Sequence, residues 1–107
     1  MNPKPGEVWL ADLGLAAKTR PVLVVSRCDS NPPRALVIYL PLTTQYRNSQ
    51  YEVPLPKLSF LKEESFVNVQ GIGSIPRTRL ERKLGKLPDK IMVQIKQAIL
   101  FTLNLEP

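Results

Sequence analysis

Apolar and polar positions in this chain come in short runs separated by proline and glycine, until a single longer period takes over at the end. Gly6 to Leu13 (GEVWLADL) sets Val8, Leu10 and Leu13 against polar Glu7 and Asp12, and reads as a first strand opened by the turn Pro5-Gly6. After a short loop, Gly14 to Thr19, the run Arg20-Pro21-Val22-Leu23-Val24-Val25-Ser26 is almost continuously apolar. Such a run marks a strand buried on both faces. Pro21, with no N–H, belongs in its first turn. Cys28 to Arg34 is a loop carrying the clearest turn signal, Asn31-Pro32-Pro33. Ala35 to Leu42 is a third strand, and Pro41 predicts an edge or a bulge near its end. A polar loop, Thr43 to Asn48, follows. Gln50 to Leu55 is a shorter strand closed by Pro54 and Pro56, Lys57 to Glu64 a connector, and Ser65 to Val69 another strand. Gly71 and Gly73, two apart, predict a bend or bulge leading into Ile75-Pro76. Arg77 to Leu80 predicts one helical turn, and Lys83 to Leu87 a last short strand.

The end of the chain changes period. Ile91, Ile95, Ala98, Ile99, Thr102 and Leu103 form one stripe of a helix running from about Pro88 to Asn104. Pro88 suits its first turn, and Asp89 favours the positive end of its dipole. Several short strands followed by one amphipathic helix predict a mainly β fold with a C-terminal helix: a small, partly open antiparallel barrel with the helix packed on it.

Composition narrows the picture. The 107 residues fit one domain, 1–107, and 43% hydrophobic content is that of a globular protein. Eleven prolines oppose a helical bundle. No apolar run reaches the ~20 residues of a membrane span, and the polar start, Met1-Asn2-Pro3-Lys4-Pro5, does not read as a signal peptide. The expected setting is cytoplasmic, with no membrane partner. A single Cys28 leaves no internal disulfide and no multi-cysteine metal site. The histidine count is zero, which excludes a serine-type triad, a histidine general base and a zinc site built on histidine. Neither a metal nor any other cofactor is expected. The net charge of +6 points to a polyanionic partner or to a surface kept basic for solubility.

Three blocks resemble the MazF/PemK family of toxin endoribonucleases. They are Pro5-Gly6-Glu7-Val8-Trp9-Leu10-Ala11-Asp12-Leu13 with Lys18-Thr19-Arg20-Pro21-Val22-Leu23-Val24-Val25-Ser26; Leu40-Pro41-Leu42-Thr43-Thr44-Gln45; and Arg79-Leu80 with Leu84-Gly85-Lys86-Leu87 and the terminal helix. The resemblance implies an SH3-like barrel of the MazF/PemK/CcdB kind, usually a homodimer. It implies metal-independent cleavage of single-stranded RNA that leaves a cyclic phosphate and a 5′-hydroxyl. It further implies a small antitoxin partner, whose acidic disordered tail would occupy the RNA groove. The residues implicated in chemistry correspond to Arg20 and Thr43. Two departures stand out. The loop between the first two strands is short, and Val69-Gln70-Gly71-Ile72-Gly73-Ser74 carries Gln70 and Gly73 where many relatives have an acid and an arginine. A competing reading is therefore a catalytically impaired module that binds RNA or antitoxin.

The residue chemistry fits the implied reaction. A planar guanidinium donates two hydrogen bonds to a phosphate and stays protonated, so Arg20 suits transition-state charge rather than proton abstraction. The Thr43 hydroxyl can donate to a phosphate oxygen. The plainer readings are a surface ion pair of Arg20 with Asp12 or Glu81, and a turn role for Thr43. Lys18, Thr19, Thr44, Gln45, Tyr46, Arg47, Gln70, Arg82 and Lys86 complete the expected RNA-binding surface. Tyr46 either stacks on a splayed base or packs on the barrel. Arg82 and Lys86 belong to a stretch, Arg77 to Lys90, with six basic residues against two acidic ones; it either attracts RNA or is a solvated face. Trp9 reads as core or dimer interface rather than an RNA platform, and Cys28 as non-catalytic.

Overall fold

A computed structural model describes residues 2–14 and 18–107; part of the loop expected over 14–19 lies outside them. Seven strands and one helix follow in order: β1 (Glu7–Asp12), β2 (Thr19–Val24), β3 (Leu36–Thr43), β4 (Glu52–Pro54), β5 (Phe66–Asn68), β6 (Gly73–Pro76), β7 (Leu80–Lys86) and α1 (Asp89–Thr102). The strands form one antiparallel sheet in the order β4-β5-β3-β2-β1-β7, which does not close, with β6 added beside β3.

The uninterrupted apolar run of β2 has a direct cause. This strand lies between β1 and β3, and apolar clusters cover both of its faces. Leu23 joins Val8, Leu40, Val67, Val69, Leu87 and Ile95 in the larger cluster. Val22 and Val24 turn to the other face, with Ala11, Val37, Ile75 and Leu80. The helix seals the larger cluster. Ile95 and Ala98 are buried in it, and Ile91, Met92 and Ile99 pack against it. Leu103, assigned to the same stripe by its spacing, instead caps the helix and is exposed. The helix stops there because Asn104 adopts φ 58°. The Leu105 N–H then donates to the Leu100 carbonyl (2.8 Å) and the Asn104 N–H to that of Phe101 (3.1 Å), a Schellman closure of the last turn.

Three expectations about strands change. Gly71 to Ser74 is not merely a bend: after a 3₁₀ turn at Val69–Gly71, Gly73 and Ser74 begin β6, which pairs with Leu36 to Tyr39. Tyr39 lies close above Gly73, its hydroxyl 3.0 Å from where a Cβ would stand, so a side chain at 73 would require the tyrosine to shift. Pro41 marks an edge on one side only, since β3 has no partner there between β6 and β5. It pairs with Val22 inside the sheet and stands where β3 changes partner, from β6 (Leu36 to Tyr39) to β5 (Leu42 and Thr43). The last strand begins at Leu80, earlier than its polar sequence indicated, because Leu80 pairs with Ala11 and is buried with it. The turn expected at Arg77 to Leu80 is a 3₁₀ turn over Arg77–Arg79.

One ionised group is built into the frame. Glu7 on β1 is buried, and its Oε1 accepts hydrogen bonds from the Lys4 N–H and the Trp9 indole N–H (3.0 Å each), while Oε2 lies 3.0 Å from the Lys83 ammonium. Burial opposes its ionisation. The Lys4, Trp9 and Lys83 donors outweigh burial and hold the carboxyl below the usual carboxylate range. A folded value below the unfolded one means a stabilisation complete above ~4.3 and lost as pH falls through the folded value. Glu7→Gln is expected to cost about 2 kcal/mol at neutral pH. Urea unfolding along an acid series should show the gap to wild type narrowing below the unfolded glutamate value, and a gap independent of pH would contradict this account.

Candidate active site

Arg20 sits near the start of β2 and Thr43 at the end of β3. Antiparallel pairing of the two strands brings these ends to the same rim of the sheet, where both line one open cleft of about 620 Å³. Thr19 and Pro21 of β2, Leu10 of β1, and Arg82 and Leu84 of β7 form one wall with Arg20. Leu42, Thr44 and Gln45 continue from Thr43. The packing of β2 and β3 in the sheet fixes the backbones that carry both groups.

Arg20 is exposed and makes no ion pair among the described residues. Asp12, its expected surface partner, lies instead 3.8 Å from Arg79, which also donates to the Asp12 carbonyl at 3.4 Å. The guanidinium of Arg20 is thus left with its donors available. Thr43 is both a turn residue and a donor. Its oxygen accepts the Gln45 N–H at 3.1 Å, which orders the first turn of the loop and leaves the hydroxyl proton for a ligand.

A smaller polar pocket of about 250 Å³ shares Thr43 and Gln45 with the cleft and adds Arg47, Ser49, Tyr51, Glu52, Asn68 and Gln70. The Arg47 N–H donates to Glu52 Oε1 at 3.1 Å, and its guanidinium to Gln45 Oε1 at 3.4 Å. Gln70 therefore lies beside the cleft rather than in it. Tyr46 packs parallel to Phe66 with ring centroids 4.4 Å apart, and its hydroxyl donates to Asn48 Oδ1. Lys18 is exposed next to Thr19 without lining either pocket. Lys86 is not in the cleft, and its side-chain stem runs past Gly6. Trp9 packs against the second apolar cluster, and Cys28 is exposed with its thiol near the Asn2 carbonyl. Among the described residues no group of three acidic or cysteine side chains is placed to hold a metal.

One side of the cleft was not foreseen. Phe60, Leu61, Lys62 and Glu63, from the connector between β4 and β5, line it together with Ser65. Leu58, Phe60 and Leu61 pack on the larger cluster. The Phe60 ring lies on Gly85 of β7, where any Cβ would land on the ring. The connector is thereby fastened across the cleft to the opposite edge strand. Gly85 within a strand, a position that usually marks a close approach, was the available signal.

A small open sheet with a terminal helix carries a cleft in which two arginines, a lysine and several hydroxyls converge, a set of donors suited to a phosphodiester. A model of the PemK-like, MazF-like toxins of type II toxin–antitoxin systems matches residues 4–103. The chain is 33% identical over 98 residues to a Mycobacterium tuberculosis protein named probable endoribonuclease MazF5, covering 91% of this chain and 89% of that one. A solved endoribonuclease in complex with its cognate antitoxin, from a mycobacterial species, is similar at TM-score 0.85 and 28% identity, over 98% of each chain. The Mycobacterium tuberculosis toxin MazF-mt6 gives a TM-score of 0.83 at 29% identity, over 94% of this chain and 99% of that one. The chain belongs to the PemK-like, MazF-like toxins of type II toxin–antitoxin systems, a family of toxin endoribonucleases.

Proposed function

We propose that this toxin cleaves single-stranded RNA without a metal, through in-line attack of the 2′-hydroxyl on the adjacent phosphorus, giving a cyclic phosphate and a 5′-hydroxyl. The observation that carries this reading is the convergence on one open cleft of Arg20, without an ion-pair partner among the described residues, and Thr43, whose hydroxyl proton is free to donate. The Arg20 fork balances the charge that builds on the phosphate oxygens as the fifth bond forms. Thr43 donates to the same group and fixes its orientation. Arg82 adds charge along the approach, and Gln45, Arg47 and Gln70 supply donors and acceptors for a neighbouring base. Thr19 and Thr44 border the path of the backbone.

The chain acts in the cytoplasm, where its RNA lies, as a homodimer, and is silenced by a small antitoxin. An acidic, extended segment of that partner suits a cleft rich in arginine and lysine, since it presents carboxylates where RNA presents phosphates. The replacement of a family arginine by Gly73 has a packing reason in Tyr39, and Gln70 stands outside the main cleft. Neither change removes Arg20 or Thr43, which favours cleavage over a purely binding role. The deciding experiment incubates the purified chain with a long single-stranded transcript in excess chelator and maps both new ends. The expected result is discrete cuts with cyclic-phosphate and 5′-hydroxyl termini at an undiminished rate. Binding without cuts would make the chain a binding module.

A further inference from the structure

The in-line reaction leaves one task unassigned, which is removal of the proton from the 2′-hydroxyl. No histidine exists anywhere in the chain. The ionisable side chains lining the cleft are Arg20, Lys62, Glu63 and Arg82. A guanidinium has no lone pair to offer, and an ammonium must first lose a proton. The hydroxyls of Thr19, Thr43, Thr44 and Ser65 do not take up a proton near neutral pH. Glu63 is the single carboxylate lining the cleft among the described residues.

Its presence there runs against binding alone, because a carboxylate in a cleft for a polyanion repels the ligand. The backbone that carries it is held in place, while the side chain itself is exposed to the cleft. The Ser65 hydroxyl, itself buried, donates to the Glu63 carbonyl at 2.9 Å. The segment before it is held by Leu58 and Leu61 in the core and by Phe60 on Gly85. The carboxylate forms no ion pair within the described residues, so no cation has to be displaced before it can accept a proton.

We infer that Glu63 is the proton acceptor for RNA cleavage, supplied by the connector between β4 and β5 in place of the acid that Gln70 lacks. The inference rests on the cleft being the RNA site. In the step, the 2′-oxygen gives its proton to a Glu63 oxygen and forms a bond to phosphorus. The bond from phosphorus to the 5′-oxygen breaks, its electron pair stays on that oxygen, and the oxygen takes a proton from water. Glu63 then returns its proton to solvent. The charged groups around it are Arg20 from β2, Arg82 from β7, and Lys57, Lys62 and Glu64 from its own connector.

The test uses the full chain and a short RNA synthesised around a cut site mapped on the transcript, with a matching RNA carrying a 2′-O-methyl group at the cut nucleotide for binding. Glu63→Gln should lower the single-turnover rate by about 10²–10⁴-fold. Its affinity for the methylated RNA should be unchanged or tighter, because a repelling charge is gone. Glu63→Asp, which keeps the carboxylate on a shorter stem, should recover part of the rate. A Glu63→Gln rate within about threefold of wild type would overturn the assignment while leaving the RNA cleft in place. A rate loss matched by an equal loss of affinity would also overturn it, reducing Glu63 to a binding contact. A wild-type chain that cuts no RNA would overturn both this inference and the function on which it rests.

Discussion

Replacing Arg20 by alanine should lower RNA cleavage by about 10²–10³-fold, and with it growth arrest, while the protein remains folded. The fold is spared because the side chain is exposed and has no ion-pair partner among the described residues. The apolar residues that follow it, Val22, Leu23 and Val24, hold β2 without it. The rate is not spared, because the charge developing on the phosphate oxygens loses a donor that needs no rearrangement when the bond forms. Arg20→Lys should also be weak. It restores the charge but not the planar pair of donors, so binding should recover further than turnover. Circular dichroism and a single-turnover assay on the same preparations decide the matter. A folded Arg20→Ala protein with the wild-type rate would remove Arg20 from the chemistry.

A second large effect is expected from an uncharged position. Gly85→Ala places a methyl where the Phe60 ring lies. The ring is held between β7 and the larger apolar cluster, so it must move and take the connector with it. Overpacking of this kind costs about 1–3 kcal/mol. The same shift carries Lys62 and Glu63 away from the cleft, and displacements near 1 Å at a reacting centre cost about 10²-fold in rate. Thermal unfolding and cleavage should therefore fall together. Adding Phe60→Ala relieves the clash, so the double variant should be more stable than the two single losses summed. Simple additivity would show that ring and glycine do not meet.

Much of the frame is legible in the sequence where burial is one-sided or complete. The run Pro21 to Val25 reads as a buried strand because both of its faces are covered. The stripe Ile91, Ile95, Ala98 reads as a helix because one face meets the core and the other meets water. β6 escapes because its reason is distant: Gly73 and Ser74 have poor strand preference, and the partner they pair beside, Leu36 to Tyr39, is far away in sequence. Pro41 reads as an edge because β3 is unpaired on one side there, but the local rule does not foresee that the strand changes neighbours at that point. Arg20 and Thr43 were singled out by family resemblance, and no periodicity points to either. Their shared rim follows only from the pairing of β2 with β3. Lys86 is grouped with Arg82 by counting nearby charge, whereas only Arg82 lines the cleft. The connector carries no pattern that marks Glu63, whose surroundings exist only after Phe60 has docked.

That docking has an evolutionary consequence. One wall of the cleft is drawn from strands whose residues also fill the apolar interior, so drift there is tightly constrained. The other wall, residues 57–64, is tied to the body by an aromatic seam at Gly85 and a few aliphatic anchors. Descendants of such a chain can rewrite the exposed residues between those anchors, Glu63 excepted, while the strand wall stays unaltered. Change on one side of the cleft can therefore accumulate without passing through an unfolded ancestor.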